Sequence, residues 1–309
     1  MRVVVFAYHN MGIAGLNSLE RAGFPIVQIY SHEDDPAEKR WFDSVQEWGK
    51  GKGIPVECRA DLNQKEMADK IAALQPEMIF SFYYRHMIGE EILRIPPKGA
   101  YNLHGSLLPA YRGRCPVNWV LLNGEVRTGV TLHYMVRRAD AGDVVGQKVV
   151  RISEDDTALT LYGKLCAASE PLLDELLPLM RDGLAPCIPQ DISRGSYFGR
   201  RRPEDGRIDW NWPAVRIYNL IRAVTDPYPG AFCKLPDGST LMVWWGAPEG
   251  NQDGEKTQTP GIVEINDGRV LVSTGSGKIR LLDLQVGGER MAGDEIIRYF
   301  KDKEGIRLQ

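Results

Sequence analysis

Asn102 and His104 stand two residues apart at the start of the stretch NLHGSLLPAYRGR, which runs from Asn102 to Arg114. A short apolar run precedes them, and side chains alternate along a strand, so a strand ending there projects both to one face. An amide NH2 can donate to a developing oxyanion, and an imidazole can take and return a proton. Gly105, Pro109 and Gly113 punctuate the remainder of the stretch as an irregular loop, the usual place for a site built on a rigid sheet. By itself, Asn-x-His is more often the pattern of a strand-end histidine bonded to loop backbone. Asp140, in Ala139-Asp140-Ala141-Gly142-Asp143, would by itself be the punctuation of a hairpin or bulge.

The elements that must position these residues are set by periodicity. Val3 to Ala7 is a continuous apolar run, Gly12 to Ala22 has helical spacing at Ile13, Leu16 and Leu19, and Phe24 to Tyr30 returns to strand. This β-α-β opening predicts an α/β domain with a Rossmann-like, open, mostly parallel sheet. Asn63 to Leu74 reads as a helix with Asn63 as N-cap and Glu66 three residues on. Met78 to Tyr83 is the next buried strand, and Arg85 to Ile88 leaves its carboxyl end, where ligands of such sheets collect. Thr157 to Met180 is helical, with Pro171 and Pro178 expected to divide or kink it. After a helix from Pro213 to Val224 the pattern becomes all β, in the runs AFCKL, LMVWW, GIVEI, RVLVST and KIRLLDL. That predicts a small OB-like β-barrel, in which adjacent Trp244 and Trp245 face opposite sides and at most one is free to stack on a ligand. The expected domains are 1–190, a linker at 191–203 rich in Gly, Pro and Arg, and 204–309.

A net charge of -3 gives no electrostatic reason to expect nucleic acid. The five cysteines are odd in number and lack a C-x-x-C pair, which reads as reduced thiols in a cytoplasmic protein, without a disulfide frame or zinc site. Cys115, just beyond the loop, reads as a packing residue. The apolar run at the N-terminus is too short for a signal-peptide core, and no stretch is long enough to span a membrane. No metal is expected, since the five histidines show neither H-E-x-x-H nor H-x-x-E-H spacing.

Three segments occur in order: SFYYRHMI from Ser81 to Ile88, the NLHGSLLPAYRGR loop, and TGVTLHYMVRRADAGDVV from Thr128 to Val145. Together they resemble the folate-dependent formyltransferases, which move a formyl group from 10-formyltetrahydrofolate to an amine. The resemblance implies a catalytic set of Asn102, His104 and Asp140. It also implies a folate site along His86, Met87 and Ile88, at Arg114, and along Val136, Arg137, Arg138, Ala139 and Asp140. FAYHNMG near the start, FGRRRPEDGRIDW at Phe198 to Trp210 and RAVTDPYPGAF at Arg222 to Phe232 are similar to one branch, which acts on UDP-4-amino-4-deoxy-L-arabinose in lipid A modification and polymyxin resistance. In that branch the domain can be fused to a decarboxylase on a dinucleotide-binding fold. No G-x-G-x-x-G follows a strand here, so the expectation is an isolated domain or a stand-alone enzyme, with a fused or oligomeric partner left open.

The alternatives are formylation of another nucleotide-linked amino sugar, formylation of methionyl-tRNA, and a non-catalytic module that binds folate or sugar nucleotide. The loop SHEDDPAEKRW begins acidic with Glu33, Asp34 and Asp35, where the tRNA-formylating relatives carry a basic insertion. Keeping all three catalytic residue types argues against a dead binding site.

Overall fold

Five consecutive apolar residues, as in β1 (Val3–Ala7), can be satisfied as a strand only if both sheet faces are covered, and β1 and β4 (Met78–Phe82, with Ser81 its one polar residue) are buried at every position. In the computed structural model, which describes residues 1–34, 40–59, 61–250 and 259–309, these two strands are central neighbours in a seven-stranded sheet. Asp35 of the acidic loop lies outside the described residues. The sheet is completed by β2 (Ile26–Ser31), β3 (Val56–Cys58), β5 (Ala100–His104), β7 (Arg127–Tyr134) and β8 (Val144–Arg151), in the order β3-β2-β1-β4-β5-β7-β8. β1 to β5 run parallel, whereas β7 and β8 pair antiparallel. The order reverses between β1 and β4, so the crevice beyond their carboxyl ends is where this sheet opens to a ligand.

Helix α1 (His9–Arg21) packs closely on that sheet, because a side chain at Gly15 would run into the Phe82 ring. The remaining helices of this half are α2 (Val45–Lys52), α3 (Lys65–Ala73), α4 (Glu90–Leu93) and most of α6 (Ala158–Arg181). Two expectations are corrected. Gln64, not Asn63, holds the N-cap position of α3, and the Asn63 side chain is engaged elsewhere. Pro171 and Pro178 do not divide α6, which is one helix of 24 residues. Leu172, Leu173, Leu176 and Leu177 are all buried alongside the prolines, and this packing offsets the lost backbone bonds.

The chain forms two compact units, the first comprising 1–116, 127–152 and 162–199. The second comprises 117–126, 153–161 and 200–309, with α5 (Pro116–Leu122) contributing all but its first residue. Asn118 donates to the Ala223 carbonyl (2.7 Å) and Arg222 to that of Ser153 (3.2 Å), which ties the early segments to α7 (Ala214–Val224). We retain 1–190, 191–203 and 204–309 as proposed domain limits along the chain. The stretch 191–203 includes β9 (Tyr197–Phe198), which pairs in parallel with β6 (Arg112–Gly113) in the first unit.

The second unit is an antiparallel sheet, ordered β10 (Ala231–Lys234), β11 (Thr240–Glu249), β14 (Lys278–Val286), β13 (Arg269–Ser273) and β12 (Val263–Asn266). β15 (Glu289–Ala292) adds to β14, and α8 (Asp294–Phe300) comes next in the chain. Both edges of the sheet are covered by the last residues. Val263 donates to the Ile306 carbonyl (3.0 Å), Leu308 to that of Gly261 (2.8 Å), and Lys234 to that of Gln309 (2.7 Å). Open strand edges are thereby paired. Irregular register at Val243 and Trp245 interrupts the expected alternation, and Trp244 and Trp245 are both half-buried; Trp244 donates to Gln285 (2.9 Å).

Candidate active site

β5 brings Asn102 and His104 to the face that β7 lines with His133 and Thr131, since Asn102 pairs with His133 and His104 with Thr131. The loop beyond His104 is pinned from the same strand. Thr131 Oγ1 donates to the Ser106 carbonyl (2.6 Å) and accepts from the Leu108 amide (3.2 Å). Gln147 on β8 donates to the Leu108 carbonyl (2.8 Å). The chain then passes through Tyr111 at φ 59° and Gly113 at φ 99°. A side chain at Gly113 would strike the Phe198 carbonyl, so the β6–β9 contact requires glycine there.

Asp140 arrives from the turn between β7 and β8, in the left-handed region at φ 51°. Gly142 lets that turn close, because any Cβ there would overlap the Tyr134 carbonyl. Gln190 donates to the carbonyls of both Gly142 and Asp140. Asp143 is bonded through its backbone to Tyr134 (2.9 Å) and its carboxylate accepts from the Cys187 thiol (3.4 Å).

The three expected catalytic residues converge. Asp140 Oδ1 lies 3.6 Å from His104 Nδ1 and 3.4 Å from Asn102 Nδ2, while Oδ2 accepts the Gly113 amide at 2.8 Å. Burial alone would raise the Asp140 pKa. The neighbouring His104 and His133 rings and the Gly113 N–H outweigh it and hold the carboxyl below the usual carboxylate range. His104 Nε2 is 2.8 Å from the Tyr111 carbonyl, so the ring donates there, while Nδ1 stands within ion-pair range of Asp140. Of the Asn102 NH2 group, one hydrogen meets His133 Nε2 (3.1 Å) and the other has only the long contact to Asp140. That second N–H is the one available to a developing oxyanion.

His133 was not among the residues singled out by pattern. Its signal was there: in Thr131-Leu132-His133-Tyr134, alternation puts Thr131 and His133 on one face.

The expected folate residues lie in three places. His86 and Met87 are exposed and Ile88 is buried. Asn63 clamps their loop, donating to the Met87 carbonyl (2.8 Å) and accepting the Gly89 amide (2.6 Å). Arg114 is exposed and donates to the Arg85 carbonyl (3.3 Å), so it reaches the same loop. Val136, Arg137 and Arg138 are exposed and Ala139 is half-buried. Ile88 and Met135 share one hydrophobic cluster, which brings the two segments together with Met87 and Val136 at their open ends. Among the described residues no group of three His, Cys, Asp or Glu side chains could hold a metal, and no helix is long and apolar enough to cross a membrane.

The family described as Formyl transferase matches residues 1–176, and its C-terminal domain matches residues 201–301. Among solved structures, an N-formyltransferase from Helicobacter canadensis, in complex with folinic acid and dTDP-3-aminofucose, has a TM-score of 0.70 at 20% identity. The match covers 90% of this chain and 98% of that one. WlaRD, a sugar 3N-formyltransferase determined with dTDP and 5-N-formyl-THF, gives 0.69 at 19% identity, over 94% of this chain and 98% of its own. A sugar N-formyltransferase from a Shewanella species gives 0.64 at 19% identity, over 81% and 99%.

Proposed function

We propose that this chain, which belongs to the formyl transferase family, moves a formyl group from 10-formyltetrahydrofolate to the 4-amine of UDP-4-amino-4-deoxy-L-arabinose. The reading makes it a cytoplasmic enzyme of lipid A modification and polymyxin resistance. The observation that carries the chemistry is the convergence of Asn102, His104 and Asp140 on one strand end, with Asp140 held ionised. The acceptor rests on segments similar to one branch, FAYHNMG, FGRRRPEDGRIDW and RAVTDPYPGAF. Structural neighbours that carry dTDP or a dTDP-linked amino sugar together with a formylated folate support the same substrate class.

In this reading the folate lies along His86 to Ile88, Arg114 and Val136 to Asp140. The sugar amine attacks the formyl carbon, a C–N bond forms, and the carbonyl oxygen becomes an oxyanion. Asn102 Nδ2–H exchanges its long contact with Asp140 for that oxygen; losing one such donor costs about 3–4 kcal/mol, roughly a hundredfold or more in rate. The bond from the formyl carbon to N10 then breaks. His104 takes the proton shed by the sugar nitrogen and delivers it to N10 of the departing tetrahydrofolate. Asp140 keeps the imidazole oriented and favours it while it carries that proton.

The test is tetrahydrofolate release from 10-formyltetrahydrofolate with UDP-4-amino-4-deoxy-L-arabinose, a dTDP-linked 4-amino sugar and methionyl-tRNA as parallel acceptors. Turnover with the UDP sugar alone is the expected result. Turnover with another acceptor overturns the substrate assignment, and none with any of them overturns the catalytic one.

A further inference from the structure

Two arginines of this chain are equally buried, at 5% exposure each, and they are treated differently. Arg222 is provided with acceptors. Its guanidinium donates to Asn219 Oδ1 (2.9 Å) and to the Ser153 carbonyl (3.2 Å), with the carbonyls of Glu154 and Asp156 also in reach. Arg112 has none of this. Its Nε is sealed from solvent without an acceptor, and no carboxylate lies in ion-pair range among the described residues. A guanidinium does not lose its proton, so it cannot escape burial by becoming neutral. An unpaired buried cation is a cost that folding alone does not repay, and a ligand that brings the counter-charge does.

Its position says which ligand. Arg112 lies between Tyr111, whose carbonyl faces His104 Nε2 (2.8 Å), and Gly113, whose amide holds Asp140 (2.8 Å). Its backbone is fixed in β6, donating to the Ser196 carbonyl (3.0 Å). Gly113 at φ 99° breaks the alternation between the two neighbouring arginines. Arg114 is exposed and engages the loop assigned to folate, while Arg112 is buried with its Nε unpartnered. The planar fork of a guanidinium matches two oxygens of a phosphate, and the proposed acceptor carries a diphosphate.

We infer that Arg112 is a substrate-binding residue whose guanidinium takes the diphosphate of the nucleotide-linked sugar, an assignment that rests on the proposed nucleotide-sugar function. The arginine then supplies acceptor affinity, and the donor site does not depend on it.

The experiment measures thermal stabilisation by UDP, inorganic diphosphate and folinic acid in the wild type, Arg112→Gln and Arg112→Lys, with steady-state kinetics beside it. The wild type is stabilised by all three. Arg112→Gln loses the shift from UDP and diphosphate, keeps that from folinic acid, and melts no lower than the wild type without ligand. Its KM for the UDP sugar rises about tenfold or more, with the KM for the formyl donor within about twofold. Arg112→Lys keeps the charge without the fork and weakens UDP less than Gln does; it carries the comparison if the Gln variant does not fold. An unchanged UDP shift in the variants overturns the inference, as does a loss confined to folinic acid, which would make the anion a folate carboxylate. A wild type stabilised by folinic acid but by no nucleotide or diphosphate removes the nucleotide-sugar reading itself, a failure visible before any variant is made.

Discussion

His133 sits directly across the β5–β7 ladder from Asn102, and its Nε2 lies 3.1 Å from the Asn102 amide nitrogen. Its Nδ1 is 2.8 Å from the Tyr134 carbonyl. A carbonyl only accepts, so Nδ1 carries a ring proton; Nε2 presents a lone pair to the Asn102 NH2 when the ring is neutral, and donates to Asp140 Oδ1, 3.5 Å away, when it is protonated. That lone pair takes one Asn102 hydrogen and thereby sets which end of the carboxamide faces the site. His133→Ala frees the amide to turn. The expected result is a fall in kcat of about tenfold or more, short of the roughly hundredfold of Asn102→Ala, with both KM values nearly unchanged. Steady-state kinetics of the two variants check it, and a wild-type kcat in His133→Ala would count against the positioning role.

Asp140 is held below the usual carboxylate range, so its contribution to stability has a defined sign. A depressed native pKa means that the unfolded chain binds the proton first. The stability is present above the unfolded value of about 3.9 and is lost as pH falls through the native one. Asp140→Asn removes that acid-side loss, and chemical denaturation from pH 5 down to pH 2 shows a flatter curve for the variant. At neutral pH the same variant loses turnover, because an amide does not balance a protonated His104.

Asn63 holds both sides of the 87–89 turn, through the Met87 carbonyl and the Gly89 amide. Asn63→Ala takes no cap from α3, whose N-cap position is Gln64, and releases the loop assigned to folate. The KM for 10-formyltetrahydrofolate should rise severalfold to about tenfold, which is about 1 kcal/mol, while the KM for the acceptor stays put. Equal changes in both would show a general loosening of the site.

His9 is 1% exposed, stacked on Phe42 at 3.9 Å and edge-on to Trp41 at 4.3 Å. Burial first, and then the nearby Arg85, lower its pKa from 6.5 to about 3. In the native state the ring stays neutral while the unfolded chain takes up a proton near 6.5, so stability declines as pH falls from 6.5 toward 3. At full displacement this is on the order of 4–5 kcal/mol. His9→Asn tolerates the left-handed backbone there (φ 64°) and should flatten the slope of unfolding free energy against pH in that window, whatever its absolute stability. His32, lowered to about 4 mainly by its own burial, preserves part of the slope.

The placement of Asn102 and His104 was legible because two residues on a strand end obey alternation whatever the rest of the chain does. Asp140 was legible only through the pattern of three segments, since a turn aspartate has the same local signature whether or not it meets an imidazole. Asn63 misled for the converse reason. A polar residue ahead of a helix is a capping residue by local rule, and the competing Gly89 amide comes from 26 positions away. β15 and α8 were missed behind the last strong apolar run.

The β-α-β opening, the mostly parallel first sheet and the run of strands after α7 were determined by the sequence alone, because each depends on spacing that a short window of chain already contains. The pairing of His133 with Asn102, the clamp of Asn63 on the 87–89 turn and the sheet edges covered by 306–309 were decided only in the tertiary structure. So was the unpartnered Nε of Arg112. Each depends on which polar atoms distant segments bring within reach, and on which they leave without a partner.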